Sequence, residues 1–386
     1  MNKRNTSLRF ALGLAVTFTA LQATLSVAET TNNPPPAKTN TVEADRLRQL
    51  FTTCFRNWHH SLDGMLSLGE VNAVIENPQA RGDEAAAAVV IHRFIENPHK
   101  EGGTKGVTLE QLMRFTQAPR ALVNFLRAHN EIQDIDRTVN RTLFVGNDPS
   151  LDFFRQGGMG DCYFLSAVGA LVARDGTAVR YMFSSSGAGW QVRFRNGKEA
   201  FVPYLTDGEL VLGARASTNH GIWLDVLEKA YATLVLNEAH RGTAVTADVI
   251  GRGGLQGPAI SLLTGHRAAL MRLFKKGGED EDKAIERARK LLTTLSREKR
   301  LMGVGRYAPP GSKPDGIPIK HAFGVLGYDA AKQMVTVFDP RGLHFTPRGA
   351  PGMIYGYATY RGVFEVPLRE FIHLFTELHY ETAVPL

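Results

Sequence analysis

Cys162 lies in the stretch RQGGMGDCYFLSAVGALVA, residues 155–173. Glycines at 157, 158 and 160 free the chain to turn tightly before it. After it, Phe164, Ala167, Val168 and Leu171 recur at the core spacing of a helix. The cysteine is therefore expected at or near a helix N-terminus, where the dipole and unpaired N–H groups favour a thiolate. Gln156, six residues earlier, offers a side-chain amide that can donate to a developing oxyanion together with the Cys162 N–H. Such a nucleophile needs a base, and the base needs an orienting group. His321 opens the run HAFGVLGY. Asp339 follows eighteen residues on in FDPRG, after a turn at Asp329-Ala330 and the strand MVTVF. Antiparallel neighbours joined by so short a turn would set His321 and Asp339 side by side at one sheet end. There a carboxylate can accept from the imidazole. The chemistry open to this set is acyl transfer through the cysteine sulfur. Other histidines, such as His92 and His99, read as structural.

These residues need elements to hold them. WQVRF, the turn Arg195-Asn196-Gly197 and EAFVPYL read as a hairpin, with Asn-Gly as the turn signal. Helices are expected over Trp223–Leu236 and about Asp280–Arg300, the latter acidic at its start and basic at its end. The tail is strand-rich: LMGVGRY, HAFGVLGY, MVTVFD and GVFEV, with a short amphipathic helix, LREFIHLF, near the end. Helices first and strands later in one unit indicate an α+β fold.

The chain has 386 residues, enough for two or three domains, with 43% hydrophobic and 22% charged residues. That balance excludes general disorder and collagen. Residues 1–28 read as a secretory signal peptide: a basic start, an apolar stretch from Phe10 to Leu25, and Ser26-Val27-Ala28 as the cleavage site. The apolar run is interrupted by Thr17, Thr19 and Gln22, so it is short for a membrane anchor. The expectation is an exported protein, periplasmic or secreted, with no membrane span after signal cleavage. Losing Lys3, Arg4 and Arg9 with the leader takes the formal charge from +7 to about +4, with Lys and Arg scattered among acids. A nucleic-acid partner is not expected from so diffuse a charge. The chain has two cysteines. A single Cys54–Cys162 bridge suits an oxidising compartment, but a nucleophile must stay free.

Residues 29–41 (ETTNNPPPAKTNT) read as a disordered linker. From Val42 to about Gln117 the chain reads helical, and Leu47, Leu50, Phe51, Cys54 and Trp58 share one face, so Cys54 is expected in a core. Between helices, HHSLDGMLSLGE (59–70) has the spacing of an EF-hand loop, with Asp63, Gly64, Leu66, Ser67 and Glu70 at positions 5, 6, 8, 9 and 12. His59 stands at position 1, where Asp is needed. A second loop, around Lys100 to Gln111, has Val107 as its pairing residue and almost no acidic ligands. The region reads as an EF-hand-like helical domain over 42–120 that has mostly lost calcium. Asp63 and Glu70 remain as the weak Ca²⁺ candidates. Residues 121–140 read as a connector, and its surroundings, like the linker, as natural processing points.

The second part resembles the calpain-type, papain-like cysteine proteases. Their nucleophile motif, Q-G-x-x-G-D-C-[WY], matches QGGMGDCY from Gln156 to Tyr163. DGEL (207–210), W-x4-EKAYA (Trp223 to Ala232) and GGLQGPAISLLTG (253–265) look like further blocks of that family, the last like its glycine-containing substrate groove. The base motif H-A-[YF]-x-V matches His321 to Val325, and GVFEVPLREFIHLFTELHYE resembles the closing segment. Together these cover roughly residues 141–385. The resemblance implies a papain-like core of two subdomains, 141–248 and 249–386. It implies Cys162 as nucleophile, His321 as base, Gln156 as oxyanion donor, and a substrate groove at Gly160, Gly253, Gly254 and Lys320.

Three departures stand out. Asp339-Pro340-Arg341-Gly342 replaces the family's N-P-W-G, and transglutaminase-like enzymes of related architecture use Cys-His-Asp. Lys320 replaces the Gly before the histidine. Gly221 stands where calpain cores place a calcium-binding Glu, and Asp152 has no evident partner, so calcium activation is not expected. The leading expectation is an endopeptidase acting on protein or peptide, with no cofactor required. Amide transfer or deamidation on the same triad, and an inactive binding module, stay open. The sequence leaves the oligomeric state open.

Overall fold

The computed structural model describes residues 41–386, apart from 62, 97–105, 139–140, 147, 215–220, 239–248, 252, 275–277 and 308–315. The leader and nearly all of the Pro-rich segment lie outside the described residues, as does most of the second loop's first half.

The chain begins with helices α1 (Thr41–Trp58), α2 (Leu68–Ile75) and α3 (Gly82–Ile95). They are followed by α4 (Leu109–Thr116) and α5 (Pro119–Thr138). Strands β1 (Met65–Ser67) and β2 (Gly106–Thr108) join the two loops as an antiparallel pair with Leu66 opposite Val107. The stretch expected as a connector is α5. Its Ala121, Phe125, Ala128 and Ile132, spaced by three or four residues, are buried in the same apolar cluster as Phe51, Cys54 and Trp58. The sequence signal for this helix is that spacing, and a buried helix face is a poor processing site.

The second apolar cluster surrounds α6 (Cys162–Arg180). Its neighbours are the sheet β3 (Phe183–Ser186), β4 (Gly189–Arg193) and β5 (Glu199–Pro203), with α7 (Asp207–Leu212) and α8 (Trp223–Glu238). The expected hairpin is β4–β5, and Gly197 takes φ +83° at its turn. Next comes α9 (Gln256–Thr264), whose Ala259, Ile260, Leu262 and Leu263 pack into the α6 cluster. Although it lies beyond residue 249, this helix shares the core of the preceding stretch.

The third cluster lies under a six-stranded sheet. Its strands are β6 (His266–Arg272), β7 (Met302–Arg306), β8 (His321–Asp329), β9 (Met334–Phe338), β10 (Val363–Pro367) and β11 (Glu377–Pro385). Helices α10 (Glu281–Arg297) and α11 (Leu368–Leu374) pack on it. The order is β10-β9-β8-β7-β11-β6, so the last strand enters between β7 and β6. β6 and β11 were not expected as strands. β6 lies at the sheet edge with only exposed and half-buried residues, and Ala268 and Ala269 break their alternation, which weakens its period-two signal.

α6 crosses this sheet closely. A Cβ at Gly169 would lie 2.2 Å from the Phe338 ring, and one at Gly324 would lie 2.8 Å from the Ser166 carbonyl oxygen. Bare glycines at both positions bring the first half of α6 down onto the start of β8 and the end of β9.

Candidate active site

Cys162 is the first residue of α6 and is half-buried, with a free thiol. Cys54 is also free and sits buried in the helical cluster, so no disulfide joins them. Burial, with Glu84 nearby, pushes the Cys54 thiol up to about 12.

His321 opens β8 and Asp339 directly follows β9. The two strands pair antiparallel, with Gly324 opposite Phe338, and a bulge between Val325 and Gly327 absorbs one residue. His321 Nε2 donates to Asp339 Oδ1 at 2.9 Å, and both residues are buried. Cys162 lies close enough to the same ring to act on it electrostatically. With Nε2 given to Asp339, Nδ1 is the nitrogen left for the thiol. Phe323 meets the imidazole edge-on at 4.8 Å, which fixes the ring plane. Burial opposes a charged imidazole here. The Asp339 bond and charge and the nearby Cys162 outweigh it and raise His321 to about 9. Asp339, despite its own burial, is held down at about 2 by hydrogen bonds and charge from His321 and Arg341.

Arg341 was noted in the sequence only as a departure. Its Nε lies 2.9 Å and its Nη2 2.6 Å from Asp339 Oδ2, and its backbone N–H donates to Oδ1 at 3.0 Å. Gln256, at the start of α9, was also missed. Its amide nitrogen donates to Ser166 Oγ on α6 at 2.7 Å and to the Phe323 carbonyl on β8 at 3.0 Å. It therefore ties the cysteine's helix to the histidine's strand.

Gln156 is braced inside its own loop. Its Nε2 donates to the Met159 carbonyl at 2.7 Å and to Asp161 Oδ1 at 3.2 Å, which uses both amide hydrogens. The oxyanion role expected from sequence therefore requires one of these bonds to be released. Asp161 and Glu228 are buried and close enough to interact. Burial raises both carboxyls, Glu228 the further, because two anions cannot share so dry a site.

The groove residues divide. Gly160 approaches the Gly251 carbonyl so closely that a Cβ would lie 2.3 Å from it, and a Cβ on Gly254 would lie 2.7 Å from the Tyr163 ring. Both glycines serve close packing. Gly253, at φ +79°, faces open space, and Lys320 is exposed at φ +53° with its N–H on the Arg306 carbonyl. That left-handed backbone is the reason glycine suits the position.

The helical region is docked against the nucleophile loop. Asp207 accepts from the Gly82 N–H at 3.0 Å and pairs with Arg81 and Arg141. Arg93 Nη2 donates to the Val211 carbonyl at 2.8 Å and its guanidinium packs against Gly158, while the Gly158 N–H donates to Leu212 O at 3.0 Å.

The Ca²⁺ candidates are already occupied by donors. Glu70 Oε1 accepts from the His60 and Ser61 N–H groups at 2.8 and 3.1 Å, and Oε2 from the Ser67 N–H and hydroxyl, both at 2.8 Å. Those bonds outweigh its partial burial and hold the carboxyl at about 2. Asp63 Oδ1 accepts from Ser61 Oγ and the Met65 N–H, each at 2.9 Å. The loop thus closes on its own N–H groups, and it offers two carboxylates toward an ion that takes six to eight oxygen ligands. Asp152, without a partner in the sequence reading, pairs with Arg361 at 2.7 Å.

A thiol at a helix start, faced by an imidazole bonded to a buried carboxylate, can form and break an acyl bond. Residues 108–346 match the family model described as calpain family cysteine protease. The chain belongs to that family and is a cysteine peptidase with protein as its substrate class. Among the curated proteins compared with it, none matches the chain. Among the described residues, no helix is long and apolar enough to cross a membrane.

Proposed function

We propose that the chain is an exported cysteine endopeptidase working through Cys162, His321 and Asp339. The observation that carries this reading is the 2.9 Å His321–Asp339 bond, with Cys162 beside the same ring at the start of α6. The Cys162 sulfur, as the thiolate whose proton sits on His321 Nδ1, attacks the peptide carbonyl, forming a C–S bond. His321 passes its Nδ1 proton to the leaving nitrogen as the C–N bond breaks. Water then adds to the thioester, giving one proton to the ring as the C–S bond breaks, and releases the acid. Asp339 keeps the ring oriented throughout. The oxyanion meets the Cys162 N–H at the helix start, and Gln156 Nε2 joins it by releasing Asp161. The EF-hand-like helical region acts as a brace for the nucleophile loop, without calcium.

The test is cleavage of casein in thiol reductant, with calcium or chelator, beside Cys162→Ala. Cleavage abolished in the variant and indifferent to chelator is expected. Cleavage that persists in Cys162→Ala, or a Cys162 inert both to substrate and to an alkylating probe, overturns the assignment. Amine incorporation without cleavage would move the reaction to amide transfer.

A further inference from the structure

The two departures at the end of β9 belong together. In this chain the buried acid Asp339 is followed directly by Pro340-Arg341-Gly342. We propose that Arg341 is a positioning residue that makes the Asp339–Arg341 pair a formally neutral orienting group for His321. The inference rests on the reading of His321 as the base.

The geometry is specific. The guanidinium meets Asp339 Oδ2 from two nitrogens, Nε at 2.9 Å and Nη2 at 2.6 Å, and Nε also reaches Oδ1 at 3.2 Å. The Arg341 N–H adds a bond to Oδ1, the oxygen that also accepts from His321. Nη2 reaches the Gly316 carbonyl at 3.3 Å, which anchors the far side of the fork. Asp339 is 5% exposed, so its charge is poorly screened by water and acts strongly on the imidazole.

An unopposed carboxylate there would trap His321 as imidazolium. The ring must give up a proton to the leaving group and then accept one from water, so a trapped cation slows deacylation. Arg341, bonded chiefly to the oxygen of Asp339 that does not hold the ring, offsets part of that field. The other groups around the ring do not do this. Cys162 at the start of α6 and Asp161 beside it both favour the cation. Arg306 stands opposite on β7 as the register partner of His321, with its guanidinium on the Ile317 carbonyl, and Lys320 is turned out to solvent.

The test is a charge cycle read by NMR titration of His321 in the Cys162→Ala background, so its outcome does not depend on catalysis. Arg341→Met should raise the His321 titration by about one pH unit, because the anion is left unopposed. Asp339→Asn should lower it by about two units, because the cation is left unopposed. The double variant should return to within about one unit of the parent. Arg341→Lys, which keeps the charge without the fork, should stay near the parent. With Cys162 restored, the basic limb of kcat/KM should follow the same order, and the double variant should cleave at least about tenfold faster than Asp339→Asn alone. An Arg341→Met titration indistinguishable from the parent, or a double variant no better than the worse single one, overturns the proposal. Loss of all Cys162-dependent cleavage in the parent, with the titration order intact, would instead overturn the protease reading.

Discussion

Gln256→Leu should loosen the join between α6 and β8, and its cost follows from the bonds it makes. The substitution removes the bonds to Ser166 Oγ and to the Phe323 carbonyl. Two neutral hydrogen bonds contribute about 1 kcal/mol each, and a buried carbonyl left without a donor costs about 1–3 kcal/mol. Ser166 keeps its bond to the Tyr163 carbonyl, so its hydroxyl is not orphaned. Leucine also removes Gln256 Oε1, itself buried without a partner, which returns about 1 kcal/mol. The net expectation is a loss of about 2–4 kcal/mol by urea unfolding, at unchanged m. The same change should lower kcat more than it raises KM, because it shifts the thiol relative to the imidazole without touching substrate. A loss under about 0.5 kcal/mol with full activity would refute the idea that this amide sets the helix–strand distance.

Stability should depend on pH through the same cluster. His321, raised to about 9 from an ordinary 6.5, contributes stability that is complete below pH 6.5 and is lost as pH rises through 9. The difference corresponds to about 3 kcal/mol, so the urea midpoint should fall between pH 7 and about 9.5, and His321→Phe should abolish that slope. Asp339 works in the other direction: held at about 2, it contributes stability above its ordinary range that is lost as pH falls toward 2. Lys320→Gly should gain about 1 kcal/mol in thermal unfolding by relieving the left-handed backbone, and it should lower KM for bulky substrates if the lysine obstructs the groove. Iodoacetamide should label Cys162 alone in the native chain, since the Cys54 thiol is buried and pushed up to about 12; equal labelling of both would contradict that burial.

The legible part of this chain was local. Apolar spacing after Cys162 marked α6, Asn196-Gly197 marked the hairpin, and short apolar runs marked β7 to β10. The pairing of β8 with β9, which brings His321 and Asp339 together, followed from one short turn between two strands. The α5 helix was readable from Ala121, Phe125, Ala128 and Ile132, but a 20-residue polar-looking stretch obscured it.

The chain alone showed on which elements Cys162, His321 and Asp339 ride, because periodicity and turn chemistry act over a few residues. Only the tertiary structure decided how they are held. Gln256 reaches Ser166 across 90 residues, and Arg93 reaches Val211 across 118. The last strand slips between β7 and β6, a sheet order that no local pattern encodes. Even the two-residue contact of Arg341 with Asp339 depended on the fold: the Asp339 N–H donates to Gly362 O at 2.8 Å, and the Gly342 N–H to Asp339 O at 3.0 Å, which curls the chain so that the guanidinium meets its own neighbour's carboxylate. Long-range burial removes the water that would otherwise compete for these groups, so the charge of Asp339 and the proton of His321 are properties of the packed molecule.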